Sequence, residues 1–159
     1  MTPEQKQLVK DSWAQVMPIR ETAAELFYAR LFEQYPEVQP YFKGDMKEQG
    51  RKLMAMLNTA VSGLDNLENL IEPLKQSGKA HAGYGVKAED YGKVGAAFLW
   101  TLEKGLGDAF TPAVKDAWTV TYGTVAKVMI EGAGYPASVD AAEKPSWWRT
   151  VFGAKTATS

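Results

Sequence analysis

Apolar residues recur at intervals of three and four along almost the whole of this chain, and no stretch alternates between turn signals as a half-buried strand would. That period leaves helices as the building material and an all-α fold as the class. Thr2, Pro3 and Gln5 form a helix start: Thr2 can cap, Pro3 fits the first turn, and Gln5 can reach back. Leu8, Val9, Trp13 and Val16 then lie on one stripe, until Pro18 marks a break. A second helix is predicted from about Glu21 to Gln34, with Leu26, Phe27, Leu31 and Phe32 on its buried side. Pro36 and Pro40 confine Tyr35 to Phe42 to a short helical turn, and Gly44-Asp45 leads into a helix from about Met46 to Ser62. The pattern from Asn66 to about Ala80 is helical, with Pro73 expected to bend or divide it. Gly83 and Gly85 punctuate the chain after that helix, and two long helices, about Lys87 to Gly105 and Pro112 to Gly132, complete the pattern.

With 159 residues the chain suits one domain and can bury a sizeable core. The domain is expected over residues 1–133. Residues 134–159, rich in Gly, Ala, Pro, Ser and Lys, read as a linker and tail, interrupted by Trp147, Trp148, Val151 and Phe152. With Lys144, Arg149 and Lys155 this segment is amphipathic, but one short segment binds a membrane surface only marginally. Folding back on its own domain or mediating contacts between copies is the expected alternative.

A formal net charge of −1 argues against nucleic acid or an anionic membrane as partner, since both require a basic surface. The absence of cysteine excludes disulfides, thiolate nucleophiles and iron–sulfur clusters. The first residues are polar rather than signal-like, and no apolar run is long enough to span a bilayer, so a cytoplasmic location is the default expectation. Carboxylates are scattered over helix faces without forming an acid–base pair. A glycine-rich phosphate loop is absent, and no Ser/His/Asp arrangement is persuasive.

One histidine remains, His81. Alone it would be read as a surface or core imidazole. Its neighbours change that reading. Lys79-Ala80-His81-Ala82-Gly83-Tyr84-Gly85-Val86 closes one helix, and Tyr91-Gly92-Lys93-Val94-Gly95 opens the next. Upstream lie Leu26-Phe27-Tyr28, then Tyr35-Pro36-Glu37-Val38-Gln39-Pro40-Tyr41-Phe42, then Glu48-Gln49-Gly50-Arg51-Lys52-Leu53; downstream lie Asp116-Ala117-Trp118 and Tyr122-Gly123. In this order and spacing the chain resembles the globin family, in particular bacterial single-domain globins and the haem domains of flavohaemoglobins, over roughly residues 3–133.

The resemblance implies helices packed around one haem b (iron protoporphyrin IX), with His81 as proximal iron ligand. Tyr91 matches the tyrosine of a proximal network that in flavohaemoglobins also holds a glutamate. At the glutamate's position this chain has Ala133, with Glu131 two residues earlier. Phe42 matches the phenylalanine wedged against the porphyrin, while Val86, Val94 and Phe98 would line the proximal side. Ordinary core packing is the alternative for each. On the distal side the resemblance gives Tyr28 and Gln49, with Leu53 facing the gas. A phenol and an amide both donate hydrogen bonds to a partly anionic diatomic ligand. Arg51 and Lys52 are the expected propionate partners at the rim, although exposed charges usually meet only solvent.

The resemblance supports two functions from different classes. One is reversible binding of oxygen or another diatomic gas such as nitric oxide, for storage, transport or sensing. The other is nitric oxide dioxygenase activity, a detoxifying reaction that would require an external reductase. A haem-free helical sensor is a third reading, disfavoured by the retained His81.

Overall fold

The computed structural model describes residues 1–42, 44–83 and 86–133, and the Trp-rich segment expected after residue 134 lies outside them. The described residues contain six α-helices and no strand: α1 (Pro3–Val16), α2 (Arg20–Gln34), α3 (Met46–Ser62), α4 (Glu68–Gly83), α5 (Asp90–Leu106) and α6 (Pro112–Ala133). Short 3-10 turns join several of them, including Met17–Ile19 at Pro18 and Pro36–Tyr41 between α2 and α3. No helix among the described residues is long and apolar enough to cross a membrane.

Local chemistry sets the helix starts. The Thr2 hydroxyl accepts from the Gln5 amide at 3.0 Å, and the Gln5 side chain accepts from the Thr2 amide at 3.0 Å. This reciprocal cap satisfies two amides that a helix end leaves without intrahelical partners. Asp45 caps α3 by accepting from the Lys47 amide at 3.0 Å. Helix α5 begins at Asp90 rather than at Lys87, because the Asp90 carboxylate accepts from the Lys87 amide at 2.9 Å and closes a turn there. Pro73 does not divide α4, which runs unbroken to Gly83. The ring removes one amide donor, and packing along α6 outweighs that local cost.

Trp118, Leu31, Leu64, Leu102, Val9 and Val38 are completely enclosed and mark the centre of the main core. Polar atoms inside it are paired, as burial demands. The Trp118 indole donates to the Ser12 hydroxyl at 2.8 Å, and that hydroxyl donates to the Leu8 carbonyl at 2.7 Å. Trp13 donates to the Asn58 side chain at 3.0 Å, tying α1 to α3. A smaller cluster of Leu74, Tyr91, Ala126 and Met129 joins α4, α5 and α6.

Helix α4 packs mainly on α6, and the crossing is close enough to exclude side chains. A Cβ at Gly78 would fall on the Met129 carbonyl, and one at Gly132 would overlap the Lys75 backbone. By contrast α3 and α4 scarcely touch, a sulfur contact of 3.9 Å from the Ser77 hydroxyl to Met56 being one of their few links. The space between them is the interior cavity.

Gly78→Ala should therefore destabilise the fold by about 3 kcal/mol or more, at the upper end of overpacking effects. Gly83→Ala, where an added Cβ meets nothing within 4 Å, should leave thermal unfolding nearly unchanged. Melting curves of the two variants check the pair, and equal midpoints would contradict the crossing geometry.

Candidate functional site

The cavity measures about 710 Å³, within the range of small-molecule and cofactor sites of roughly 300–1,000 Å³. One face of α3 supplies Gln49, Lys52, Leu53 and Met56, at helical spacings of three, one and three. Helix α2 contributes Phe27 and Tyr28, and the turn after it Val38, Tyr41 and Phe42. Across from α3, α4 contributes Leu74 and His81, and Val86 lies just beyond it. Helix α5 adds Asp90, Tyr91, Val94 and Phe98, and α6 closes the base with Trp118, Tyr122, Val125 and Met129 among others.

His81 has its Nδ1 2.6 Å from the Ser77 carbonyl. A carbonyl only accepts, so Nδ1 carries the proton and Nε2 keeps a lone pair. The bond runs back one turn of α4, so the helix that carries the imidazole also sets its tautomer and restrains its ring. The Tyr91 ring lies 6.3 Å from the His81 ring, tilted by 38°. Behind it Tyr122 is partly buried and donates its hydroxyl proton to the Tyr91 carbonyl. Burial raises the Tyr122 phenol strongly, which keeps it a neutral donor.

On the opposite wall the Tyr28 ring sits among Phe27, Phe32 and Phe42, with centroids 5.0, 5.9 and 5.3 Å away. Its hydroxyl donates to the Gln49 carbonyl at 3.3 Å. Burial pushes the Tyr28 pKa up to about 12, so the phenol stays protonated across the physiological range.

Ten of the eleven residues singled out from sequence line this one cavity: Tyr28, Phe42, Gln49, Lys52, Leu53, His81, Val86, Tyr91, Val94 and Phe98. Arg51 is not among its lining residues. It lies on the exposed side of α3 with its guanidinium 3.1 Å from Glu48. At about 100° per residue Lys52, Leu53 and Met56 lie within about 60° of Gln49 around α3, whereas Arg51 lies about 200° from it and so faces away from the cavity. Lining residues not singled out include Met56, Tyr41 and Asp90, together with the α6 face of Trp118, Tyr122, Val125 and Met129. Met56 was readable as seven residues beyond Gln49, and the α6 face by its spacings of four, three and four. Asp90 was readable as four residues before Val94, but its link through Lys93 to Glu37 was not, because that link forms only on folding.

Among the described residues no group of three or more His, Cys, Asp or Glu side chains gathers to hold a metal ion. Asp90 is the sole carboxylate among the described lining residues, and the Lys87 amide and Lys93 ammonium already engage it.

A six-helix fold whose core opens around one oriented imidazole defines a ligand-holding helical domain. A family model described as Globin matches residues 25–129. The chain is 34% identical over 113 residues to the flavohaemoprotein of Bacillus subtilis (strain 168), covering 69% of this chain and 28% of that one. It is 30% identical over 152 residues to the flavohaemoprotein of Halalkalibacterium halodurans, covering 94% of this chain and 37% of that one. The chain thus spans about a third of the length of these relatives. Neuroglobin of Tetraodon nigroviridis is 28% identical over 146 residues, covering 83% of this chain and 92% of that one. A crystal structure of a hexacoordinated haem protein from an anhydrobiotic tardigrade, at pH 4, shares the fold with a TM-score of 0.77 and 19% identity, covering 85% of this chain and 96% of that one. The chain belongs to the globin family.

The Tyr28 pKa gives a pH dependence with a definite sign. It is raised from 10.0 to about 12, so the neutral-form contribution is complete below pH 10 and is lost as pH rises toward 12. Tyr28→Phe should reduce the fall of the urea midpoint over that window. Tyr122, shifted the same way, should leave a residual slope. An identical pH profile in the variant would place the Tyr28 phenol in water.

Proposed function

We propose that the chain binds haem in the 710 Å³ cavity, with His81 as proximal ligand, and reversibly holds a diatomic gas beneath Tyr28 and Gln49. The observation that carries this reading is the His81–Ser77 bond of 2.6 Å, which leaves Nε2 as the free ligating atom of the one imidazole. The lining fits the group. It is largely apolar, its aromatic wall includes Phe42 and Phe98, and Lys52 supplies a cation for a propionate. Haem iron would supply an open coordination position. Five-coordination at rest is the proposed state, since the chain has no second histidine.

Oxygen, with nitric oxide as a second ligand, is the proposed gas, and haem b the proposed form of the cofactor. Tyr28 and Gln49 are the proposed donors, and Leu53 fills the space beside them. Because the Tyr28 hydroxyl already donates to the Gln49 carbonyl, turning toward a gas exchanges one hydrogen bond for another. The net gain is then about 0.5–1.5 kcal/mol rather than the full strength of a new bond.

Nitric oxide dioxygenase activity with an external reductase is the second reading, supported by the likeness to flavohaemoproteins. The proximal side favours binding over turnover. Nδ1 of His81 donates to a neutral carbonyl, and Met129 and Ala126 pack with Tyr91. Glu131 is exposed.

The optical spectrum of the purified protein should show a Soret band that His81→Ala abolishes or greatly weakens. Tyr28→Phe should speed oxygen release by about three- to tenfold, the equivalent of its net hydrogen bond. An unchanged rate removes Tyr28 from the distal network. Sustained nitric oxide consumption with a supplied reductase, beyond one stoichiometric turnover, would favour the enzyme.

A further inference from the structure

The Pro36–Tyr41 turn and the start of α5 form neighbouring walls of the cavity and are joined at its edge by three charged side chains. Lys93 lies 3.0 Å from Asp90 and 3.2 Å from Glu37, so its single ammonium bridges α5 and the turn. The Asp90 carboxylate is almost completely enclosed, at 4% side-chain exposure, whereas Glu37 is 54% exposed. Asp90 also influences Tyr41: burial first, then a hydrogen bond to this carboxylate, raises the Tyr41 phenol. For Glu37, its own backbone amide and then the Lys93 ammonium hold the carboxyl below its ordinary range. For Lys93, partial burial disfavours the charge, and the two carboxylates outweigh it.

Both sides of this bridge lead directly to cavity-lining residues. Tyr41 precedes Phe42, and Asp90 precedes Tyr91, with Val94 one residue beyond Lys93. At the far end the cavity walls are fixed by the α4–α6 crossing, but α3 and α4 scarcely touch. The Pro36–Tyr41 turn and α5 likewise share few backbone contacts, so the Lys93 bridge is what joins these two walls at their edge.

We propose that Lys93 is a positioning residue: with Asp90 and Glu37 it latches the Pro36–Tyr41 turn to α5 and thereby sets how long the cavity retains its haem. The latch rests on the proposal that this cavity binds haem. Its two arms differ physically. The exposed Lys93–Glu37 arm is open to screening by salt, whereas the enclosed Lys93–Asp90 arm is screened much less. Loss of Lys93 would also leave the Asp90 charge buried without its cation, which is costlier than loss of the outer arm.

The test is transfer of haem from the loaded protein to an excess of a haem-free acceptor globin, followed at low and high salt. Glu37→Gln should release haem about threefold faster at low salt, and high salt should bring the wild type to the same rate without changing the variant. Lys93→Met should release it about tenfold faster at either salt, and Lys93→Arg should restore most of the retention. Lys115→Met, an exposed charge away from the bridge, serves as the control and should match the wild type. Amide exchange in residues 36–42 and 86–91 should accelerate in Glu37→Gln while exchange in α1 does not. This measurement stands if Lys93→Met fails to fold. Unchanged release and exchange in Glu37→Gln, or equal acceleration in Lys115→Met, would overturn the latch while leaving haem binding intact. A wild-type protein with no Soret band would overturn both.

Discussion

Helix α4 carries the imidazole, yet it buries only Leu74 and Gly78 against the rest of the protein. Its neighbour across the cavity, α3, gives it little support, so its position depends on the crossing with α6. There the two backbones approach directly, because Gly78 and Gly132 present no side chain where the Met129 carbonyl and the Lys75 backbone lie. A larger residue at either point would push α4 away and take His81 with it. The Ser77 carbonyl that orients His81 belongs to the same helix, so tautomer and position are both referred to α6. Ile71, 39% exposed on α4, shows how thinly this helix is covered. An apolar cofactor against α4 would add the missing contact, and its binding energy would stabilise the folded chain through linkage.

The cavity is compatible with a well-packed protein because the polar groups around it are engaged elsewhere. Ser12 takes the Trp118 indole proton, Tyr122 donates to the Tyr91 carbonyl, and Asp90 takes the Lys87 amide and the Lys93 ammonium. Each bond joins segments far apart in sequence or ties down the start of α5. Together they stiffen the α5 and α6 walls, while Tyr28 on α2 reaches the first turn of α3 through the Gln49 carbonyl. Buried polar groups satisfied in this way specify geometry more than they add net stability.

Helical period, proline positions and the Thr2 cap made the architecture legible, since each acts within a few residues of its own place in the chain. The lining of the cavity was legible to the extent that helix faces repeat: Gln49 and Leu53 share a face, and so do Tyr91, Val94 and Phe98. Arg51 illustrates the limit. Sitting beside Lys52 in sequence, it points along a different direction of α3 and meets Glu48. The link from Asp90 to the turn was hidden for another reason. The Asp90 partners Lys87 and Lys93 are local, but Glu37 and Tyr41 reach the same cluster only when the Pro36–Tyr41 turn folds against α5. Pro73 was overweighted because its local cost is readable while the compensating contact with α6 is not.

The two sides of the cavity differ in the kind of control they offer. On the proposed reading the distal donors would act directly on a gas, since Tyr28 and Gln49 both line the cavity. Proximal control would pass through His81 if it ligates the haem as proposed; its Nδ1 meets a neutral carbonyl, with Tyr91 held by backbone-directed bonding from Tyr122. A carboxylate acceptor at Nδ1 would make the imidazole more basic and push more electron density toward the metal; a carbonyl does so less. Met129 and Ala126 pack with Tyr91 in this compartment, and the displaced Glu131 remains on the surface. If the chain holds haem as proposed, its cavity-facing polar groups would act on the ligand more than on the iron, an asymmetry that would favour gas binding over sustained oxidation chemistry.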